Sequence, residues 1–184
     1  MQSKTVATRQ YDRAIEQFRA VLDMEPNFPR AHLLVFAYAQ KGLFADALAD
    51  IEKWRRIDKG PWTWAIAAYV YGRSGNQEEA RRTLEKLKQL NQRRQMDPAA
   101  IVLVYVGMNS KEEAFNWFEK AYSEHSNALL TLKVGPIYDP LRSDPRFQDL
   151  LRRLGLAPAR LSAPLINRGM HAPLFPTTPW DFAK

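Results

Sequence analysis

The residues of this chain that could do chemistry are few and widely spaced. Three histidines, His32, His125 and His171, have no histidine partner four residues away and no carboxylate pair at metal-ligand spacing. The chain has no cysteine, which excludes disulfides, thiol nucleophiles and cysteine-based zinc sites. It also has no phosphate-binding glycine loop and no serine-nucleophile motif. We therefore predict no catalytic residue, no metal and no cofactor, and a protein that is not an enzyme.

Two pairs of neighbouring acids, Glu78-Glu79 and Glu112-Glu113, are the remaining candidates for acid–base chemistry. Each pair lies at the predicted start of a helix, near residues 77 and 111, where the helix dipole favours negative charge. Asn76 and Ser110 stand three positions before the second acid of each pair, which is the spacing of a capping box. Helix capping therefore explains these acids better than catalysis.

Positive charge is the second chemical feature of the chain. The net charge is +7 and the isoelectric point is near 9.7, which favours contact with polyanions. Many of the basic residues surround one predicted helix, where they alternate with leucines as on a solvated face. These residues are Arg81, Arg82, Lys86, Lys88, Arg93 and Arg94. We interpret them as an exposed basic face. A nucleic-acid-associated regulator that uses this helix is the alternative function, and nucleic acid is a disfavoured partner.

Composition places the chain among ordinary folded proteins. Hydrophobic residues make up 46% and charged residues 26% of the sequence. No apolar run approaches the ~20 residues that cross a bilayer, and residues 1–10 lack the apolar core of a secretory signal. These features predict a cytoplasmic location without membrane contact.

The elements that position these residues follow an internal repeat. Four alanines, Ala14, Ala47, Ala80 and Ala114, recur at intervals of 33, 33 and 34 residues. A larger apolar residue follows each alanine after four positions, and another apolar residue follows after three more, so all lie on one helix face. The first set is Phe18, Ile51, Leu84 and Phe118, and the second is Val21, Trp54, Leu87 and Ala121. This spacing predicts a series of amphipathic helices.

A second apolar helix precedes each of the last three alanines, which predicts helix pairs. These first helices cover residues 31–40, 64–73 and 98–107. Gly42 and Gly75 stand five residues before their alanines, where a tight turn favours positive φ. Asn109 has the same place in the last pair, and asparagine tolerates left-handed geometry better than most residues.

The pattern resembles the tetratricopeptide repeat. The third unit carries the resemblance through Trp64, Ala67, Ala68, Tyr71, Gly75, Ala80 and Leu84. The second and fourth units match at fewer positions, and Val35, Val102 and Lys59 depart from the family pattern. The resemblance covers residues 1–127. It implies an all-α, right-handed superhelical solenoid of antiparallel helix pairs that works as a protein-protein interaction module.

We expect residues 1–157 to form this solenoid and residues 158–184 to form a proline-rich extended tail. The predicted parts of the solenoid are a truncated first repeat (1–27), repeats at about 28–60, 61–94 and 95–127, and a cap (128–157). The run from Ser143 to Pro145 predicts a capping helix that bears Phe147, Leu150, Leu151 and Leu154 on one face. A solenoid needs such a cap because its last repeat otherwise exposes an apolar face. Residues 138–147 resemble the closing segment of tetratricopeptide arrays in bacterial regulators.

The first unit is irregular. The repeat register places its turn near Arg9, so residues 1–8 are too few for a complete first helix, which is therefore missing or truncated. The resemblance suggests the C-terminal scaffold or sensory part of a longer bacterial regulator, or a gene whose start was lost. A short, frayed first helix is the alternative. The resulting open edge predicts self-association.

The resemblance also implies which residues line the concave face, since the first helix of each pair does so in this family. The implied groove residues are His32, Phe36, Gln40, Trp62, Ala65, Tyr69, Arg73, Ala99, Leu103 and Val106. They predict an apolar, aromatic groove for a protein or peptide partner. The alternative is that several of them are core residues. Residues 158–184 carry proline and large apolar residues, which favour docking of this tail in the groove; a disordered linker is the alternative.

Overall fold

The computed structural model describes residues 2–26, 32–91 and 96–157, and every regular element in these ranges is helical. The α-helices are α1 (Gln2–Met24), α2 (His32–Lys41), α3 (Phe44–Ile57), α4 (Pro61–Arg73), α5 (Gln77–Asn91), α6 (Pro98–Gly107), α7 (Lys111–Ser123) and α8 (Pro145–Arg153). Two 3₁₀ helices, η1 (Asn127–Thr131) and η2 (Pro136–Leu141), precede α8. The fold is an all-α solenoid of helix pairs, in which α2–α3, α4–α5 and α6–α7 are consecutive pairs.

Left-handed residues close the first helix of each pair, as the sequence predicts. The φ angles are 77° at Gly42, 89° at Gly75 and 57° at Asn109. At the first turn the Leu43 amide donates to the Tyr38 carbonyl at 2.9 Å, which satisfies a carbonyl at the helix end. These turns reverse the chain within a few residues, and the second helix of each pair therefore returns along the first.

Of the two predicted capping side chains, Asn76 forms its hydrogen bond and Ser110 does not. The Asn76 side chain accepts a hydrogen bond from the Glu79 amide at 3.2 Å, so the predicted cap of α5 is confirmed. Ser110 precedes α7 but makes no side-chain capping bond, so that cap is wrong although the helix begins where expected. Asp144 caps α8 by accepting from the Arg146 amide, and Pro145 takes the first helical position.

The core runs along the middle of the array, where α6 is almost completely buried and α4 is mostly buried. Tyr69, Ile101 and Leu103 are among the largest fully buried side chains. The two helices cross at glycines. A Cβ placed on Gly72 would lie 2.6 Å from the Gly107 carbonyl carbon, so only glycine allows this approach.

The first unit is a single long helix. The turn expected near Arg9 is wrong, because α1 continues through this position. Residues 2–10 contain neither glycine nor proline, so nothing in the sequence interrupts the helix there. α1 packs on α2, where Arg19 Nε donates to Tyr38 Oη at 2.8 Å and Lys41 pairs with Asp12.

The C-terminal end of the array is covered by η2 and α8. Phe147 follows Ala114 by 33 residues and is fully buried, with its ring centroid 6.2 Å from that of Phe118. Arg146 and Arg153 of α8 reach back to α7, where each forms a bidentate ion pair, with Glu112 and Glu119 respectively. In register, α8 therefore takes the place of the second helix of a fifth unit. Residues 158–184, the predicted tail, lie outside the described residues.

Candidate functional site

A cavity of about 650 Å³ opens on the inner side of the array. Its wall comes from α1, α2, the end of α3, the α3–α4 junction, the first half of α4, α6 and the segment from η1 to η2. Most of the side chains are apolar, and they include Phe18, Phe36, Trp54, Trp62 and Ile137. The volume is within the range of ligand sites, and we name this space the cavity.

Aromatic rings organise the α2 side of the cavity. The His32 ring stacks on Trp54 with centroids 5.5 Å apart, and Phe36 meets Tyr69 edge-on at 5.6 Å. Gln40 Nε2 donates to Tyr69 Oη at 3.3 Å. Tyr69 is buried, and this burial raises its pKa to about 12. The rings are therefore held by contacts with α3 and α4, so this wall is preformed.

The α3–α4 junction supplies the charged group of the wall. Asp58 accepts hydrogen bonds from the Gly60 amide at 2.7 Å and from Thr63 Oγ1 at 3.1 Å, which fixes the start of α4. Trp62 follows in the first turn and is 37% exposed. Among the described residues, the wall contains the carboxylate of Asp58 and no lysine or arginine. The cavity therefore favours neutral or cationic ligands over anions.

The far wall is the segment from η1 to η2. Arg142 braces it by donating to the carbonyls of Lys133 and Gly135 at 3.0 and 3.1 Å. Tyr138 is buried behind the wall, and burial raises its pKa to about 12. Burial also raises the pKa of Tyr11 on α1, and the negative charge of Asp139 raises it further. Tyr11 and Ile137 line the same cavity, so α1 and η2 face each other across it.

The predicted groove residues divide into three groups. His32, Phe36, Gln40, Trp62 and Leu103 lie in the cavity wall. Four others are buried in the helix packing, because their sides of α4 and α6 face neighbouring helices: Ala65, Tyr69, Ala99 and Val106. Arg73 is half-buried at the end of α4 and is not in the wall.

Several residues of the cavity wall are not among the predicted groove residues. Tyr11, Ala14 and Phe18 come from α1, and Pro136 and Ile137 come from η2. For α1 the repeat register gives a signal, because Ala14 and Phe18 occupy the positions that the first helices cover in the later units. For η2 no pattern existed, since its approach to α1 depends on the curvature of the whole array.

The basic face of α5 has partners within the chain. Arg82 pairs with Glu79 at 3.3 Å and Lys88 with Glu85 at 2.8 Å, while Lys86 Nζ lies 5.3 Å from the centroid of the Trp64 ring. Arg81 is exposed, and Arg93 and Arg94 lie outside the described residues. Neighbouring acids offset much of this positive charge, so the described part of the face is not a strong polyanion site.

The described residues show neither a metal-binding cluster nor a membrane-spanning helix. In the described ranges, no group of three or more histidine, aspartate and glutamate side chains has the geometry to hold a metal ion. Over the same ranges, no helix combines the length and the apolar character needed to cross a bilayer.

The fold and the cavity define a class: a helical repeat protein whose helix pairs form a curved wall. Comparison with known families specifies it further. Residues 6–61 and residues 63–94 each match a family model described as a tetratricopeptide repeat. The chain is a tetratricopeptide repeat protein, and such repeats are non-catalytic modules that bind protein partners. No curated protein and no solved structure gave a significant match.

Proposed function

We propose that the chain binds a polypeptide segment in the cavity through aromatic and aliphatic contacts. The supporting observation is the wall itself, in which the partly exposed ring of Phe36 packs against the buried core and the ring of Trp62 is exposed to the cavity. Burying apolar surface stabilises a complex by about 25 cal/mol per Å², and preformed aromatic anchors lose little entropy on binding. A role as the scaffold or sensory part of a larger bacterial regulator rests on the resemblance of residues 138–147 to the end of such arrays.

Two occupants could come from the chain itself. The segment 158–184 follows the cap directly, and a tethered segment has a high effective concentration near the solenoid. A second copy of the chain could instead pack against α1, as the open edge of the first unit suggests. If the segment competes for the cavity, a chain that ends at Pro158 binds external peptides more tightly than the full chain. If copies associate, sedimentation shows a species whose mass depends on concentration.

Peptide selection tests the proposal. Peptides of twelve random residues are displayed, selected on the full chain and then titrated against two variants. Trp62→Ala removes an exposed ring from the cavity wall, and we expect at least a tenfold loss of affinity because tryptophans often dominate interfaces. Trp117→Ala is the matched control, since this ring lies on α7 under Lys120 and outside the wall. Equal affinity for both variants would show that the cavity is not the binding site.

A further inference from the structure

We infer that the cavity accepts an amphipathic α-helix of a partner protein, which lies against α1 and α2 as the first helices of the later units lie against their neighbours. This inference rests on the proposed function and adds the conformation and chemistry of the partner. It follows from a comparison that the repeat makes possible, because equivalent positions occur several times in one chain.

The first comparison concerns the second helix of each pair. Ala47, Ala80 and Ala114 are fully buried, since the first helix of their own unit packs over them. Ala14 is the equivalent residue of α1, but it remains half-exposed and lies in the cavity wall. Phe18 differs in the same way from its buried equivalents in the later units. The surface of α1 that a first helix would cover is therefore open to the cavity.

The second comparison concerns the first helices. On α4, Ile66 and Tyr69 are both buried; the Tyr69 ring meets Phe36 of the preceding first helix, α2, and Ile66 also borders the cavity. Their equivalents on α2, 33 positions earlier, are Leu33 and Phe36. Both are only partly buried, and both lie in the cavity wall. The open surfaces of α1 and α2 therefore border the same space. In the later units, a single first helix covers the equivalent surfaces.

The contacts of α2 with α4 show which chemistry suits this space. Phe36 meets Tyr69 edge-on there, so an occupant in the same relation to α2 would place a large aromatic side chain against Phe36. The remaining face of the occupant must be apolar to cover Ala14 and Phe18. Because the described residues of the wall include Asp58 but no lysine or arginine, an acidic helix is disfavoured and a neutral or basic helix is accepted.

The surroundings favour a partner's helix over a second copy. The apolar side chains of α4 and α6 are largely packed inside their own solenoid, and the partly exposed ones of α2, Leu33 and Phe36, lie within the cavity. A second copy therefore offers no protruding helix of this kind among its described residues. The segment from η1 to η2 bounds the cavity opposite α1 and α2. A helix bound there would consequently contact both ends of the array.

A peptide with the sequence of residues 31–43 is a suitable probe, since it copies α2 and its turn. It carries a fluorescent label, and its binding to the full chain is followed by anisotropy and by far-ultraviolet circular dichroism. We expect saturable binding with a gain of helical signal. The same peptide with Ala37→Pro cannot form the helix and should bind at least tenfold more weakly.

Two variants of α1 locate the bound peptide. Ala14→Trp fills the space beside the missing helix and should weaken binding at least tenfold. Ala20→Trp adds the same bulk on the exposed side of the same helix and should leave binding unchanged. Ala14→Leu is a milder alternative if the first variant melts at a markedly lower temperature than Ala20→Trp.

The results separate this inference from the proposed function. If selected peptides bind in a Trp62-dependent way but remain extended, or bind Ala14→Trp normally, the groove function stands and the helix inference fails. If residues 31–43 do not bind, or the proline peptide binds equally well, the inference also fails. Concentration-dependent dimers that Ala14→Trp abolishes would assign the space to a second copy and overturn it. If Trp62→Ala binds the selected peptides as tightly as the wild type does, the proposed function fails as well.

Discussion

Two buried tyrosines, Tyr69 and Tyr138, give the fold a pH dependence at the scale of single residues. Burial raises the pKa of each hydroxyl to about 12, above the value of about 10 for an unfolded chain. The neutral form is therefore favoured in the folded state. Its contribution to stability is complete below pH ~10 and is lost as the pH rises toward ~12.

We predict that the free energy of unfolding falls between pH 10 and 12, and that replacing both tyrosines by phenylalanine removes much of this fall. A difference of about two pKa units corresponds to roughly 3 kcal/mol for each tyrosine at the alkaline end. Urea denaturation at intervals from pH 9 to 12 measures the slope in the wild type, in Tyr69→Phe, in Tyr138→Phe and in the double variant. The same slope in the double variant and the wild type would assign the loss to other groups.

At the scale of elements, the closest helix contact is the crossing of α4 with α6. A Cβ on Gly72 would lie 2.6 Å from the Gly107 carbonyl carbon, and a Cβ on Gly107 would lie 2.6 Å from the Tyr69 Cα. The atoms in contact belong to the backbone, so they cannot move away as the end of a side chain can. An added methyl group must push the helices apart, which typically costs about 1–3 kcal/mol.

We predict that Gly72→Ala and Gly107→Ala each destabilise the fold, although alanine is the better helix former by about 1 kcal/mol. The sign of the change in the free energy of unfolding shows whether the steric clash or the higher helix propensity of alanine dominates. Ala49→Gly, at an exposed position of α3, measures the propensity difference alone and should cost about 0.5–1 kcal/mol. Midpoints of urea unfolding provide the comparison. A stabilised Gly72→Ala variant would mean that α4 and α6 do not approach as closely as described.

Local signals in the sequence are sufficient to predict most of the helix pairs. Gly42, Gly75 and Asn109 specify three left-handed turns because few residue types tolerate positive φ. Ser110 has the right type and spacing for a cap but does not form one, since a side chain near an amide need not orient toward it. The register also fails at Arg9, because a repeat position does not bend a helix without glycine or proline.

The site is less predictable than the pairs, since it depends on how the pairs stack. Periodicity identifies Phe36 and Trp62 as residues of first helices, and both lie in the cavity wall. It does not tell which side of α4 faces α2, so it also selects Tyr69, which is buried. The residues of η2 lie more than a hundred positions from Tyr11, and only the curvature of the array brings them to the same cavity.

At the scale of the whole molecule, the helices at the two ends of the array are less buried than those in the middle. In a solenoid each unit contacts only its neighbours, so stability is a sum of local terms and inner units have more of them. Nine of the ten residues of α6 and eight of the thirteen residues of α4 are buried, whereas residues 10–24 of α1 include one buried apolar side chain, Ile15. At the other end, α8 is covered on one side and exposes Arg152 and Arg153 on the other.

We predict a gradient of amide hydrogen exchange, with the slowest exchange in α4 and α6, intermediate rates in α2 and faster exchange in α1. Opening free energies in one protein range from near zero to the global value, and helices with little buried surface open first. The α1 amides should exchange at least tenfold faster than those of α4, a difference of about 1.4 kcal/mol. Mass spectrometry of peptic fragments measures the rates, and the exposed turn at Gly75 provides a fast internal reference. Addition of the 31–43 peptide should slow exchange in α1 and α2 while leaving α7 unchanged, because the bound helix would lie against α1 and α2 and away from α7. Equal protection in α1 and α4 of the free chain would show that the array opens as one cooperative unit, and would contradict the view that the exposed face of α1 makes it the first helix to open.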